Sequence, residues 1–271
     1  MNKRQIILLV ALLMSTTIYS AFAWETVPSC IDAPYDWSYQ DDQRAIVINK
    51  VQTDKVTYFV ADVQLADPSL FRTELESGMA GVSALASRAG AVLAINGDDY
   101  AAHKYGVILR NGQLIRTHDT TRNLLVVDKN GDMQIKVDRR GEDYRALGNQ
   151  LVSKGALQAF EFGPELVREG QAVSFSPDFD VISLKPSRLE PRTAIGQIGP
   201  LHYIIIVVDG RQDGYSEGIS LQNLQQLFID YGARTALNLD GGGSTEIWFQ
   251  GQILNRPAGG KEREVSDIIC F

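Results

Sequence analysis

Apolar residues in this chain fall mostly in short β-branched or alternating runs bounded by Gly, Asn and Asp, a two-residue periodicity that predicts strands. The runs lie at 44–50, 55–64, 91–96, 106–110, 113–116, 123–128, 132–137, 165–168, 171–174, 192–198, 202–209, 235–239, 246–250 and 265–270. Helical spacing of apolar positions is rarer, at roughly 76–89 and 220–231, with Ser220 as an N-cap and Gly90 and Gly232 as stops. Asn111-Gly112, the segment from Asp128 to Asp132, Glu169-Gly170 and Gln250-Gly251 read as hairpin turns. The Asp-rich segment has no Glu closing a twelve-residue frame, so it reads as a plain turn and not a calcium loop.

Two stretches resemble each other. "GAVLAINGDDY" from Gly90 and "GARTALNLDGG" from Gly232 superpose with Asn96 on Asn238 and Asp98 on Asp240. Each follows a predicted helix, and each precedes a hairpin, "GVILRNGQLIR" in one half and "EIWFQGQILNR" in the other. The pattern predicts an α/β (α+β) fold with few helices, built from two pseudo-repeated strand-helix-strand-hairpin halves. A strand returning through a helix is normally parallel to the first, whereas hairpins are antiparallel, so a mixed β-sheet is expected. Packed with pseudo-two-fold symmetry, the halves would bring "NGDDY" and "NLDGGGSTE" to one pocket, at strand ends where such sheets gather ligands.

Composition narrows the setting. Lys3 and Arg4, the apolar run from Ile6 to Met14 and Ala21-Phe22-Ala23 before Trp24 form the pattern of a secretory signal peptide over 1–23. The remaining 24–271 reads as one unit with no linker-like stretch, secreted or periplasmic, and the apolar run is too short for a stable membrane span. Lys and Arg number 26 against 33 Asp and Glu, a net charge of −7 that argues against a nucleic-acid partner. It leaves open a phosphorylated ligand held by local donors. Cys30 and Cys270 lie near the two ends, either bridged, as an oxidising compartment permits, or unpaired.

"GYSEG" at 214–218 matches a nucleophile-elbow pattern, but its predicted strand ends several residues earlier and all three histidines, His103, His118 and His202, precede Ser216. The histidines are scattered outside any zinc-binding spacing. His103 or His118 reads as a surface residue or as an acid or base near the first loop. "NLDGGGSTE" from Asn238 carries three successive glycines with no G-K-[ST] after them, so it is not a P-loop. One reading is a backbone nest in which the amides of Gly241, Gly242 and Gly243 face an anion, aided by the Ser244 and Thr245 hydroxyls, with Asp240 as a nearby carboxylate. The other is a glycine bulge that bends a strand. Arg192 in "PRTAIG", Arg211 in "VVDGRQDGYSEG" and Arg256 in "NRP" add guanidinium groups suited to phosphate.

In order along the chain, "AINGDDY", "FGPELVREG", "PRTAIG", "VVDGRQDGYSEG", "LNLDGGGSTE", "NRP" and "REVSDIICF" resemble the phosphodiester glycosidase family. Each motif is weak; their order and spacing are specific, and they span nearly everything after residue 90. The first loop departs from the family's common Asn-Gly-Gly by carrying Asp98 and Asp99. The resemblance implies hydrolysis of a sugar-1-phosphodiester, with anion binding by Arg192, Arg211 and the glycine amides. The chemistry of that cleavage assigns sugar or water activation to Asp240, with Asp209 and Asp98 as alternatives, and hydroxyl orientation to Asn96 and Asn238. Gly97, Thr193, Ser216 and Asn255 stand beside these as substrate-contact candidates. No cofactor is required; a divalent ion bridging Asp209, Asp240 and the phosphate is possible, and no metal ligand is assigned. The expected partner is a phosphorylated sugar or glycopolymer. The competing class is a non-catalytic module that binds a sugar phosphate or wall polymer. Trp37, Trp248 and Tyr100 are candidates to stack on a sugar face.

Overall fold

The computed structural model describes residues 26–137, 141–175 and 186–271. The predicted leader over 1–23 lies outside the described residues. The chain opens with β1 (Trp37–Gln40), β2 (Arg44–Gln52), β3 (Thr57–Leu65) and β4 (Arg72–Gly81), then α1 (Val82–Ala89) and β5 (Leu93–Asn96). A hairpin of β6 (Gly106–Arg110) and β7 (Gln113–His118) precedes a second, β8 (Asn123–Val127) and β9 (Met133–Lys136), and then α2 (Tyr144–Ser153). Next come β10 (Gln158–Phe162), β11 (Glu165–Arg168), β12 (Gln171–Ala172), β13 (Arg192–Gly199) and β14 (His202–Val208). The chain ends with α3 (Leu221–Asp230), β15 (Thr235–Asn238), β16 (Ile247–Phe249), β17 (Gln252–Ile253) and β18 (Glu264–Cys270).

These strands form an eight-stranded sheet, β1-β2-β3-β14-β13-β15-β11-β12, and two five-stranded sheets, β7-β6-β10-β8-β9 and β17-β16-β5-β18-β4. One central core draws on all three, with Phe59, Ile205 and Leu237 from the first, Leu125 and Phe160 from the second, and Ile95, Phe249 and Ile269 from the third. Each sheet carries one helix on its outer face: α3 covers Ile204, Ile206 and Val208, α2 covers Val107 and Val126, and α1 covers Ala94 and Ile268. Strand β14 is therefore buried on both faces, which explains why "HYIIIVV" reads as a continuous apolar run and not an alternation.

The expectation of a mixed sheet is corrected: every strand pair among the described residues is antiparallel. The helical crossovers do join strands of like direction, but another strand lies between them. Strand β18 separates β4 from β5, and β13 separates β14 from β15. The similarity of the two halves stops at the hairpins, since β6-β7 joins the second sheet whereas β16-β17 pairs with β5.

The helix expected over 76–89 begins only at Val82, because residues up to Gly81 extend β4 along β18. The α2 helix and strand β10 were not foreseen. Asp143 caps α2 by accepting from Ala146 N at 2.9 Å, and Leu147 and Leu151 pack on the second sheet. The Asp128 turn is a plain turn, with Oδ1 accepting from Asn130 N and Asp132 N. Cys30 and Cys270 are unpaired. They pack in different clusters, Cys30 beside the α3-side core and Cys270 under α1, so a bridge between them is excluded in this fold. No helix among the described residues is long and apolar enough to cross a membrane.

Candidate functional site

Antiparallel pairing brings the ends of β5, β14 and β15 to the start of β13, and the site is built where they meet. Asn96, the last residue of β5, is buried and acts as the hub. Its Nδ2 donates to Asp240 O at 2.6 Å, while its Oδ1 accepts from Thr193 Oγ1 at 2.6 Å and from Glu246 N at 3.2 Å. Asp240 N in turn donates to Gly97 O at 3.3 Å. The two Asn-x-Asp loops therefore meet, although their asparagines do different work: Asn238 Nδ2 donates to Gly163 O at 2.9 Å. Both asparagines spend their amides on the backbone, so they shape the site.

Asp240 is half-buried. Burial drives its pKa up to about 6, and the charge of Asp99 adds to the shift. The Ser244 side chain, the Gly241 amide and Arg263 partly offset that rise by favouring the anion. Gly241 N donates to Asp240 Oδ1 at 2.8 Å, and Gly242 N donates to Pro191 O at 3.0 Å. The three-amide nest is thus corrected: two of the three amides bond within the protein, and only that of Gly243 has no partner among the described residues.

The glycines are instead required by close packing. A Cβ at Gly241 would lie 2.8 Å from Pro191 O, and one at Gly242, where φ is +61°, would lie 3.1 Å from the Arg211 guanidinium. At Gly243 the neighbour is the Arg263 side chain, at 3.3 Å. A Cβ on Gly97 would run into the Asp267 carboxylate at 2.3 Å.

Arg192 opens β13 directly beside this loop, only 2 % exposed. Its Nε has no hydrogen-bond partner among the described residues, and its one bond runs from Nη2 to Arg188 O at 3.3 Å. Burial pulls its pKa down to about 10. The nearest carboxylate, Glu190, is occupied at 2.5 Å by both Arg188 Nε and Arg211 Nε. Three guanidiniums therefore share one carboxylate. Thr245 Oγ1, Glu246 Oε2 and Asn238 Oδ1 are also buried, with no hydrogen-bond partner among the described residues. Burial pushes the Glu246 carboxyl up to about 8, and its Oε1 accepts from Arg263 N at 3.0 Å.

The alternative carboxylates are committed elsewhere. Asp209 Oδ1 accepts from Asn255 Nδ2 at 2.9 Å, its Oδ2 accepts from the Tyr215 hydroxyl at 2.9 Å, and both accept from Arg256 N at 3.1 Å. Asp209 thereby ties the β16-β17 hairpin to the end of β14, which leaves it no lone pair directed at an ion shared with Asp240. Asp98 is buried, with Oδ2 2.9 Å from Arg110 Nη2 and accepting from Glu161 N, while Oδ1 accepts from Tyr100 N. Both carboxylates are buried and engaged by internal partners.

Other predicted contacts are corrected in the same way. Ser216 is fully buried, donating to Asp209 O and accepting from Thr57 N. Thr193 serves Asn96, and Asn255 bridges Asp209 and Thr245 O. The Arg256 guanidinium lies 4.3 Å over the Tyr215 ring, at the surface. Trp248 is buried, Trp37 packs on Phe59, and the Tyr100 ring faces Arg110 and Arg116, so none of the three presents a free aromatic face.

Three groups escaped the sequence reading: Arg263, Glu246 and Asp99. Arg263 and Glu246 stand inside quoted motifs, but only the fold shows Arg263 acting on Asp240 and its backbone amide bonded to Glu246. Asp99 is gripped by Arg122 and lies 2.7 Å from His103 Nε2, whose ring stacks on Tyr105.

A family model described as phosphodiester glycosidase matches residues 89–271. The SPbeta prophage-derived uncharacterized protein YomE of Bacillus subtilis (strain 168) is 30 % identical over 197 residues, which is 70 % of this chain and 29 % of that protein. The chain thus spans under a third of that relative's length. Among solved structures, the zebrafish N-acetylglucosamine-1-phosphodiester alpha-N-acetylglucosaminidase catalytic domain, auto-inhibited by its pro-peptide, superposes with a TM-score of 0.64 at 20 % identity. The match covers 84 % of this chain and 82 % of that one. A Synechocystis hypothetical protein gives a TM-score of 0.54 at 18 % identity, over 88 % of this chain and 64 % of the other.

Proposed function

This chain belongs to the phosphodiester glycosidase family, and from that premise we propose that it hydrolyses a sugar-1-phosphodiester, N-acetylglucosamine-1-phosphodiester-like, to free sugar and a phosphomonoester. The observation that carries this reading is the buried Arg192 guanidinium, without a carboxylate of its own, on a residue whose Cα packs against Gly241, directly after the partly exposed Asp240. A desolvated cation is costly unless an anion arrives, and a phosphodiester supplies one. Arg192, Arg211, Arg263 and the Gly243 amide converge on the glycine loop and would hold the phosphate. Negative charge grows on the leaving phosphate as the glycosidic bond breaks, so these fixed donors favour the transition state over the ground state.

Asp240 supplies the carboxylate for the sugar. Ionised above about pH 6, it stabilises the oxocarbenium-like carbon and activates the incoming water. The departing phosphomonoester is stable as an anion, so a strong general acid is not needed. Asn96, Thr193, Asn238 and Asn255 act by holding the loops, and Asp98 and Asp209 by anchoring them. Export follows only if the 1–23 segment acts as a leader.

Incubation of purified protein with methyl N-acetylglucosamine phosphodiester and UDP-N-acetylglucosamine, with sugar release followed, tests the reading. Release by the wild type and its loss in Asp240→Asn with ligand binding retained is the expected result. Binding without release across a broad panel of sugar-1-phosphodiesters would identify a binding module instead.

A further inference from the structure

At the far end of β14 from the glycine loop, three residues of different chemistry converge. Cys30, from the segment preceding β1, Asp62 on β3 and His202 at the start of β14 place Sγ, a carboxylate oxygen and a ring nitrogen all within 4.8 Å of one another. His202 Nε2 lies 2.9 Å from Asp62 Oδ2. Asp62 and His202 are buried, whereas Cys30 is half-buried. Neither Arg nor Lys ion-pairs with Asp62 among the described residues; the side chain facing it is the His202 ring.

We propose that Cys30, Asp62 and His202 form a binding site for a zinc-class divalent cation, which fastens the N-terminal segment to the eight-stranded sheet. Sulfur, nitrogen and oxygen donors together suit zinc, whereas calcium and magnesium take oxygen alone. Donors around a tetrahedral zinc lie about 3.3–3.8 Å apart, so separations near the 4.8 Å limit close by roughly 1 Å on binding while His202 Nε2 and Asp62 Oδ2, 2.9 Å apart, open slightly. The Cys30 thiol gives its proton to solvent as it ligates, and the cation then separates thiolate from carboxylate. Water fills the remaining position.

Cys30 N donates to Asp62 Oδ2 at 2.8 Å, and Ser29 Oγ does so at 3.1 Å, whereas Oδ1 takes only a long 3.4 Å contact from Gln64 Nε2 and is the oxygen left for a cation. Gln64 clamps Val27 from both sides, accepting from its N at 2.8 Å and donating to its O at 3.0 Å. The ligands are far apart in sequence, which is why no spacing motif revealed them. Strand β14 runs from His202 to Val208, so the cluster lies roughly 20 Å from Asp209 and does not belong to the glycine-loop site.

The test is metal titration of chelator-treated full-length protein. One zinc per chain by elemental analysis, a thiolate-to-cobalt charge-transfer band on Co2+ addition, and a zinc-dependent rise in Tm are expected. Cys30→Ser should abolish the band and weaken zinc binding by roughly tenfold or more, and His202→Asn should do the same. Cys270→Ala should keep the band. Absence of stoichiometric zinc, a band that vanishes with Cys270 instead, or unchanged affinity in Cys30→Ser overturns the proposal. Should His202→Asn not fold, the half-buried Cys30→Ser decides alone.

Discussion

Asp240 and Glu246 stand six residues apart in one loop, and burial raises both, to about 6 and about 8. At neutral pH the first is mostly ionised and the second mostly protonated. The rate of sugar release should therefore rise with pH through an inflection near 6, and a profile flat from about pH 5 to 7 would exclude Asp240 as the group that must ionise. Glu246 leaves its mark on stability. Its folded pKa exceeds its ordinary value of 4.5, so the native state binds more protons, and stability falls as pH climbs from about 4.5 through about 8. Glu246→Gln should match wild type in denaturant melts near pH 5 and exceed it near pH 9; equal differences at both pH values would contradict this. Arg192 makes a third contrast, because on the proposed reading its buried guanidinium, without a carboxylate of its own, serves a ligand and not the fold. Arg192→Met should raise KM about tenfold or more while leaving Tm unchanged or higher. These roles were only partly legible. Asp240 and Arg192 announce themselves by motif, but the commitment of Asp98 and Asp209 to internal partners depends on Arg110 and Asn255, which no local pattern pairs with them.

The glycine loop is the element whose meaning changed most. Three glycines suggested amides free for an anion, yet two of those amides bond to Asp240 and Pro191, and the missing side chains make room for Pro191 O, Arg211 and Arg263. Gly242→Ala should cost about 1 kcal/mol through its positive φ and lower activity by displacing Arg211, whereas Gly90→Ala, with open space around it, should cost stability alone. Circular dichroism melts and sugar-release assays on the two variants separate these effects. The α1 helix shows the opposite limit of legibility. Its N-cap, Gly81, makes no side-chain cap bond; Glu262 caps it from another segment by accepting from Ser83 N and Oγ at 2.6 Å. A cap supplied from so far along the chain cannot be read locally, so the helix was expected to start too early. By contrast α3 carries its own cap, Ser220 accepting from Asn223 N, and lies within the predicted span.

Across the molecule, most strands and the α3 crossover were readable because alternation and turn residues are local. Sheet membership was not, since an inserted strand such as β18 pairs with β4 and β5 from the other end of the chain. The two five-stranded sheets meet at a buried charge cluster in which Arg110 meets Asp98 at 2.9 Å and Asp267 at 2.5 Å while its guanidinium lies 4.1 Å over the Phe160 ring. Two carboxylates share one cation there, so Arg110→Met should destabilise the fold by about 3–5 kcal/mol in urea melts. Through Gly97, which bonds both Asp267 O and Asp240 N, the same cluster sets the position of the reacting carboxylate. On the proposed reading, that carboxylate and the arginines around the glycine loop would make the phosphate, and not the sugar alone, the determinant of reactivity. The most direct measurement compares kcat/KM of the wild-type protein for methyl N-acetylglucosamine phosphodiester and for neutral methyl N-acetylglucosaminide. Turnover of the diester with little or none of the neutral glycoside is expected; equal turnover of both, preference for the neutral glycoside, or turnover of neither would contradict a site built around Arg192 and Asp240.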